Sequence, residues 1–188
     1  ASVSPFGDVQ STDWYYDEVQ YVYENGLMSG TSATTFSPDT TTTRGMIVTI
    51  LHRLEGTPAV STSGTFADVT AGRYYTDAVE WASANGIVGG YGNGRFGPND
   101  PITREQMATI LYRYAQYKGC DVSVGEDTNI LSFEDVGEVG EYAIPAMQWA
   151  VGTGIITGVT SGGRTTLSAK GNATRAQVAV MLHRFLTF

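Results

Sequence analysis

Gly86-Ile87-Val88-Gly89-Gly90-Tyr91-Gly92-Asn93-Gly94-Arg95-Phe96-Gly97-Pro98-Asn99-Asp100-Pro101-Ile102-Thr103-Arg104-Glu105-Gln106 decides how this chain folds, because it closes one helix, turns, and opens the next. Gly86 fits the left-handed position that ends a helix, and the apolar Ile87 fits the residue that packs back over the last turn. Gly and Pro at the density seen from Gly89 to Pro101 mean turns. Thr103 then suits an N-cap, its hydroxyl accepting from an otherwise unpaired backbone N–H, and Gln106 completes a capping box.

The same punctuation recurs on both sides of this stretch. Gly26-Leu27 and Gly154-Ile155 repeat the helix end, Gly30, Gly90 and Gly158 follow it, and Thr43-Arg44 and Thr174-Arg175 repeat the helix start. Phe6-Gly7-Asp8-Val9 returns as Phe66-Ala67-Asp68-Val69 and Phe133-Glu134-Asp135-Val136, so the chain holds three copies. The first two are in step; the third carries three extra residues between Gly158 and Leu167 and one shortly after Asp135, both outside the expected helices. Copy one has Met46 where the capping box needs Gln.

Each copy reads as two helices around a turn-rich segment. Tyr15, Val19 and Val22, then Tyr75, Val79 and Ala82, then Ala143, Met147 and Ala150 form an i, i+4, i+7 stripe on the first helix. On the second, Ile47, Ile50, Leu51 and Leu54, with Met107, Ile110, Leu111 and Tyr114, and Val178, Met181, Leu182 and Phe185, follow the same period. Linkers at 55–65 and about 116–132 divide the chain into repeats at 1–57, 61–118 and 128–188. A lone copy of about 60 residues makes a marginal core, so the three are expected to share one and to unfold in a single transition. The fold class is mainly α.

Composition narrows the function. No apolar run approaches the ~18 residues needed to cross a bilayer. Ala1 to Phe6 has no charged start before an apolar stretch, so a signal peptide is either removed or belongs to a longer parent. Cys120 is the only cysteine, and a formal charge of −8 argues against nucleic acid and anionic membranes as partners. His52 and His183 share a place with Tyr112, which packing explains better than metal ligation, and Asn93, Asn99 and Asp100 match no EF-hand spacing. No cofactor or metal is expected. An arginine at the first helical position stands beside unpaired backbone N–H groups and the positive end of the dipole, a place for a carboxylate. The plainer reading is a solvated arginine, which the threefold recurrence of Arg44, Arg104 and Arg175 disfavours. Arg53, Arg113 and Arg184, late in their helices, read as structural partners of the negative dipole end.

The run from Gly86 to Gln106 resembles the signature of the S-layer homology domain, with its Asn-Gly helix end, Gly-Tyr turn and Ile-Thr-Arg-Ala-Glu start of the next helix. The resemblance covers essentially the whole chain in three copies. It implies a pseudo-threefold bundle with grooves between neighbouring copies. It also implies a module that anchors exported proteins non-covalently to the bacterial wall, through pyruvylated secondary cell-wall polysaccharide, with the binding arginine at Arg44, Arg104 and Arg175. Departures are Gly45-Met46 in copy one and Leu167-Ser168-Ala169-Lys170 in copy three.

Within that frame Trp14, Tyr74 and Tyr142 are expected to line the grooves and stack on sugar rings, whereas Trp81 and Trp149 belong to the core. Asp8, Asp68 and Asp135 cap a following turn or accept from sugar hydroxyls. Arg104 is expected to be exposed and removable without harm to the fold, and to contribute most to binding. Arg104 is ranked first because copy two keeps the turn glycines, Phe96, Pro98 and the capping box. Arg175 is expected to contribute least, because three extra residues, Leu167 for phenylalanine and Ala169 for proline loosen the loop beside it, with Lys170 in partial compensation. A glycosidase would need a catalytic carboxylate pair, and none stands out in one copy, so no enzyme activity is expected. The alternative is an interaction or self-assembly scaffold at the cell surface, whose partners are other S-layer chains.

Overall fold

The computed structural model describes residues 4–188, so the reading of Ala1 to Val3 and the first boundary at residue 1 lie outside the described residues. Six helices carry the fold: α1 (Tyr16–Glu24), α2 (Arg44–Leu54), α3 (Thr76–Ala84), α4 (Arg104–Tyr117), α5 (Ile144–Gly152) and α6 (Arg175–Thr187). Gly26, Gly86 and Gly154 take positive φ after the first helix of each copy, and Leu27, Ile87 and Ile155 are buried against it. Thr43, Thr103 and Thr174 cap the second helices, with full capping boxes at Thr103 and Thr174 and only half of one at Thr43. The apolar stripes point inward as their spacing requires, with Val19, Val79 and Met147 fully buried on the first helices and Ile47, Met107 and Val178 on the second.

The main helix pairings run between copies. α2 packs on α3, α4 on α5, and α6 returns to α1. Ring contacts repeat this closed order at one set of positions: His52 on Trp81, Tyr112 on Trp149 and His183 on Tyr21, with centroids 5.3, 5.6 and 4.5 Å apart. Packing thus accounts for both histidines and buries Trp81 and Trp149. Among the described residues, no group of three or more His, Cys, Asp or Glu could hold a metal.

Backbone bonds tie the second-helix starts into a triangle. Thr42 N–H donates to the Ala173 carbonyl (3.1 Å), Ala173 to Ile102 (2.9 Å) and Ile102 to Thr42 (2.8 Å). All three residues are fully buried. The first linker is latched by the buried Glu80, which accepts from the Thr62 hydroxyl and from the backbone and hydroxyl of Thr65. The longer second linker folds into a 3-10 turn, Ser123–Asp127, packed on α5. Gly125 is needed there because a Cβ would stand 3.0 Å from the Trp149 backbone nitrogen.

The extra residues of copy three form a hairpin that the sequence reading treated as turn. Its strands β1 (Val159–Ser161) and β2 (Arg164–Thr166) pair antiparallel, with Val159 opposite Thr166, and Gly162 and Gly163 supply positive φ at the tip. The segment is therefore held by its own ladder.

Candidate functional site

The three helix-start arginines are buried, at 5% exposure for Arg44, 7% for Arg104 and 5% for Arg175. This corrects the expectation of an exposed Arg104 separable from the fold. Each clasps the next copy through Nε: Arg44 donates to the Phe96 carbonyl (2.9 Å), Arg104 to Leu167 (3.0 Å) and Arg175 to Phe36 (2.8 Å). Arg44 also lies over the rings of Tyr91 and Phe96, and Arg175 over Phe36, all within 4.7 Å of the centroid. Arg104 meets Leu167 instead. The altered loop of copy three therefore serves Arg104, not Arg175, and the Phe96 loop of copy two serves Arg44, so the loop grounds for ranking Arg104 first and Arg175 last do not hold.

The helix-start N–H groups are not open either. Arg44 and Gly45 donate theirs to the Asp100 and Pro98 carbonyls, Arg104 and Glu105 to Gly171 and Ala169, and Arg175 and Ala176 to Thr40 and Pro38. Gly45 is needed for this approach, since a Cβ there would stand 2.8 Å from the Pro98 oxygen. The capping threonines take the third N–H. An anion at these sites meets guanidinium groups, not unpaired amides.

The aspartates hold the clasped loops. Asp8 accepts from Phe36 and Ser37, Asp68 from Phe96 and Gly97, and Asp135 from Leu167 and Ser168, all through backbone N–H at 2.8–2.9 Å. Both carboxylate oxygens are thus engaged by a loop 28–33 residues further along the chain, and not by the turn that directly follows each aspartate, as the capping reading expected. Burial opposes ionisation of Asp68, yet the N–H groups of Phe96 and Gly97 hold its carboxyl below the usual carboxylate range.

Three concave grooves result, each built from all three copies. The first joins Gly30, Met46 and Arg53 of copy one to Tyr74 of copy two and Arg175 of copy three. The second joins Gly90, Tyr91, Glu105 and Arg113 of copy two to Tyr142 and Lys170 of copy three and Arg44 of copy one. The third joins Gly158, Gln177 and Arg184 of copy three to Trp14 of copy one and Arg104 of copy two. Their volumes are about 220, 530 and 510 Å³. Trp14, Tyr74 and Tyr142, at 65%, 60% and 52% exposure, each face one groove. Gly30 and Gly90 form the floor because the rings of Phe6 and Phe66 stand where a Cβ would be, at 2.5 and 2.6 Å.

Arg53, Arg113 and Arg184 line the grooves as well. The sequence reading gave them a purely structural part, although the recurrence that singled out Arg44, Arg104 and Arg175 applied equally to them. Seven of the eleven lysines and arginines face the grooves: Arg53 and Arg175, then Arg44, Arg113 and Lys170, then Arg104 and Arg184. Glu105 is the one acidic residue lining any of them among the described residues. Burial pulls the guanidinium groups of Arg44, Arg104 and Arg175 below the ordinary arginine range, and none has a carboxylate within ion-pair distance among the described residues.

A sequence model of the S-layer homology domain matches residues 5–45, 65–108 and 132–179. The chain belongs to the S-layer homology domain family. An endoglucanase of Bacillus sp. (strain KSM-635) is 35% identical over 97% of this chain, and an amylopullulanase of Thermoanaerobacterium thermosulfurigenes is 32% identical over 96%. The surface-layer 125 kDa protein of Lysinibacillus sphaericus is 29% identical over 98%. The S-layer homology chain spans only 19%, 9% and 15% of these relatives' own lengths. The domain is a wall-binding module, which puts this chain at the bacterial cell surface. No helix among the described residues is long and apolar enough to cross a membrane.

Proposed function

We propose that the chain anchors its parent protein to the cell wall by binding an anionic secondary cell-wall polysaccharide in the three grooves. The anion is a carboxylate of the kind a pyruvate ketal places on an amino sugar. The observation that carries this reading is the concentration of seven cations in three concavities of a chain whose net charge is −8. Each groove holds one guanidinium that is almost fully buried without an acidic partner, a costly arrangement that an incoming carboxylate relieves. A second arginine on the groove wall gives the carboxylate a further charged donor. The exposed aromatic ring suits the apolar face of a sugar, and the glycine floor lets the ligand approach the backbone closely.

The test is retention on purified wall polysaccharide before and after chemical removal of its pyruvate. Binding should fall at least tenfold on depyruvylated material and weaken with salt, because the contacts are charge-assisted. Equal retention on both would overturn the carboxylate reading.

A further inference from the structure

The second groove contains a device that the other two lack, and the inference drawn from it rests on the groove reading above. In copies one and two the residue after the groove aromatic braces it edge to face, Tyr15 against Trp14 at 5.1 Å and Tyr75 against Tyr74 at 5.0 Å between centroids. Copy three has Ala143 in that place, so Tyr142 has no ring behind it. Its hydroxyl donates instead to Glu105 at 3.2 Å. The same carboxylate accepts the Gly140 backbone N–H at 2.9 Å and the Lys170 ammonium. Where copy two has Glu105, the other copies have Gly45 and Ala176, so no equivalent latch exists in the first and third grooves.

We propose that Glu105 is a positioning residue that fixes Tyr142 and Lys170 before ligand arrives, making the Arg44 groove the tightest of the three for an anionic saccharide. The Glu105 side chain lines the groove yet is only 2% exposed, its carboxylate taken up by Gly140, Tyr142 and Lys170, whereas the Lys170 side chain keeps 58% exposure. Glu105 and Lys170 together add no net charge, so the gain is geometric: a ring and an ammonium need not be ordered on binding. Burial and Glu105 push the Tyr142 hydroxyl up to about 12, consistent with a held phenol. The competing grooves each have a handicap. Arg175 already commits one N–H of each terminal nitrogen, to the Ser29 carbonyl and the Met46 sulfur, in the smallest of the three cavities. Arg104 has no ring beneath it, and Arg184 donates to the Ile155 carbonyl.

Two measurements on the full chain test this. Without ligand, tetranitromethane at pH 8 should nitrate Tyr142 at least about fivefold more slowly than Tyr74, despite similar exposure, because a phenol bonded to a carboxylate ionises less readily. E105A should bring the two rates within about twofold; an unchanged Tyr142 rate overturns the proposal. In calorimetric titrations with the methyl glycoside of pyruvylated N-acetylmannosamine, E105A should weaken the tightest site roughly tenfold. It should add no loss in a Y142F/K170A background, and equal losses in both backgrounds overturn the positioning role. If E105A does not fold, E105Q carries the comparison: its one amide oxygen still accepts the Gly140 N–H, its NH2 can only donate to the Tyr142 hydroxyl, and it releases Lys170, so it should lose affinity only where Lys170 is present. If the unmodified chain does not bind the glycoside, the groove reading fails and the affinity claim with it, while nitration still decides whether Glu105 holds Tyr142.

Discussion

At the scale of single residues, Arg44, Arg104 and Arg175 serve the fold and the ligand with different atoms. Nε is committed to a carbonyl of the neighbouring copy, and the terminal nitrogens of Arg44 and Arg104 remain for the groove. Removing such a side chain leaves a buried carbonyl unpaired and opens a gap between copies. Arg104→Ala is therefore expected to destabilise the chain by about 1–3 kcal/mol, seen as a lower denaturant midpoint in chemical unfolding. Arg113→Ala, on the groove wall and half-buried, should leave that midpoint nearly unchanged and weaken saccharide binding roughly tenfold. A fully stable Arg104→Ala would contradict the clasp. Recurrence in the sequence was enough to find these arginines, because the Thr-Arg pair marks a helix start. Their burial was not legible, since the partner carbonyls lie 52, 63 and 139 residues away in the chain.

Among the elements, the three loop-to-helix junctions meet in the Thr42, Ile102 and Ala173 triangle, and the positions are chemically unequal. The Thr42 hydroxyl is buried with no hydrogen-bond partner among the described residues, where the other copies place Ile and Ala. Replacing that hydroxyl by a methyl group removes an unsatisfied polar atom and keeps the shape. Thr42→Val should stabilise the chain by about 1 kcal/mol, a rise of roughly 2–4 °C in the melting temperature. A fall would mean that the hydroxyl is satisfied in solution. The loop clamp offers a pH test. Asp68 has a depressed carboxyl, so its contribution is present above the unfolded-state value of ~3.9 and is lost as pH falls through its lower folded value. Asp68→Asn should be less stable than the unsubstituted chain at pH 7, with the difference shrinking as pH drops below about 4 in acid-unfolding curves. The helices, caps and turn glycines were readable because each is local, set by residues within a turn of one another. The copy-three hairpin escaped because its three-residue strands are too short to show alternation.

For the molecule as a whole, helix pairing in the order α2 on α3, α4 on α5 and α6 on α1 cuts across the sequence repeats. No copy contains its own helix partner in this scheme. Each second helix finds its first-helix neighbour in the following copy, and the last closes onto the first. The arginine clasps follow the same closed order, from copy one to two, two to three and three to one. A ring of this kind has no end from which one copy can peel away, because opening any copy breaks two helix interfaces and two clasps. Unfolding should therefore be a single calorimetric transition whose van't Hoff and calorimetric enthalpies agree. Substitution in any one copy should move the whole transition, so Arg175→Ala is expected to lower one peak without splitting it. A fragment covering 61–118 loses the partners of both its helices and should remain unfolded by circular dichroism. Two resolved peaks, or a helical and cooperatively melting 61–118 fragment, would show that the copies fold as independent units and that the grooves form only where such units touch.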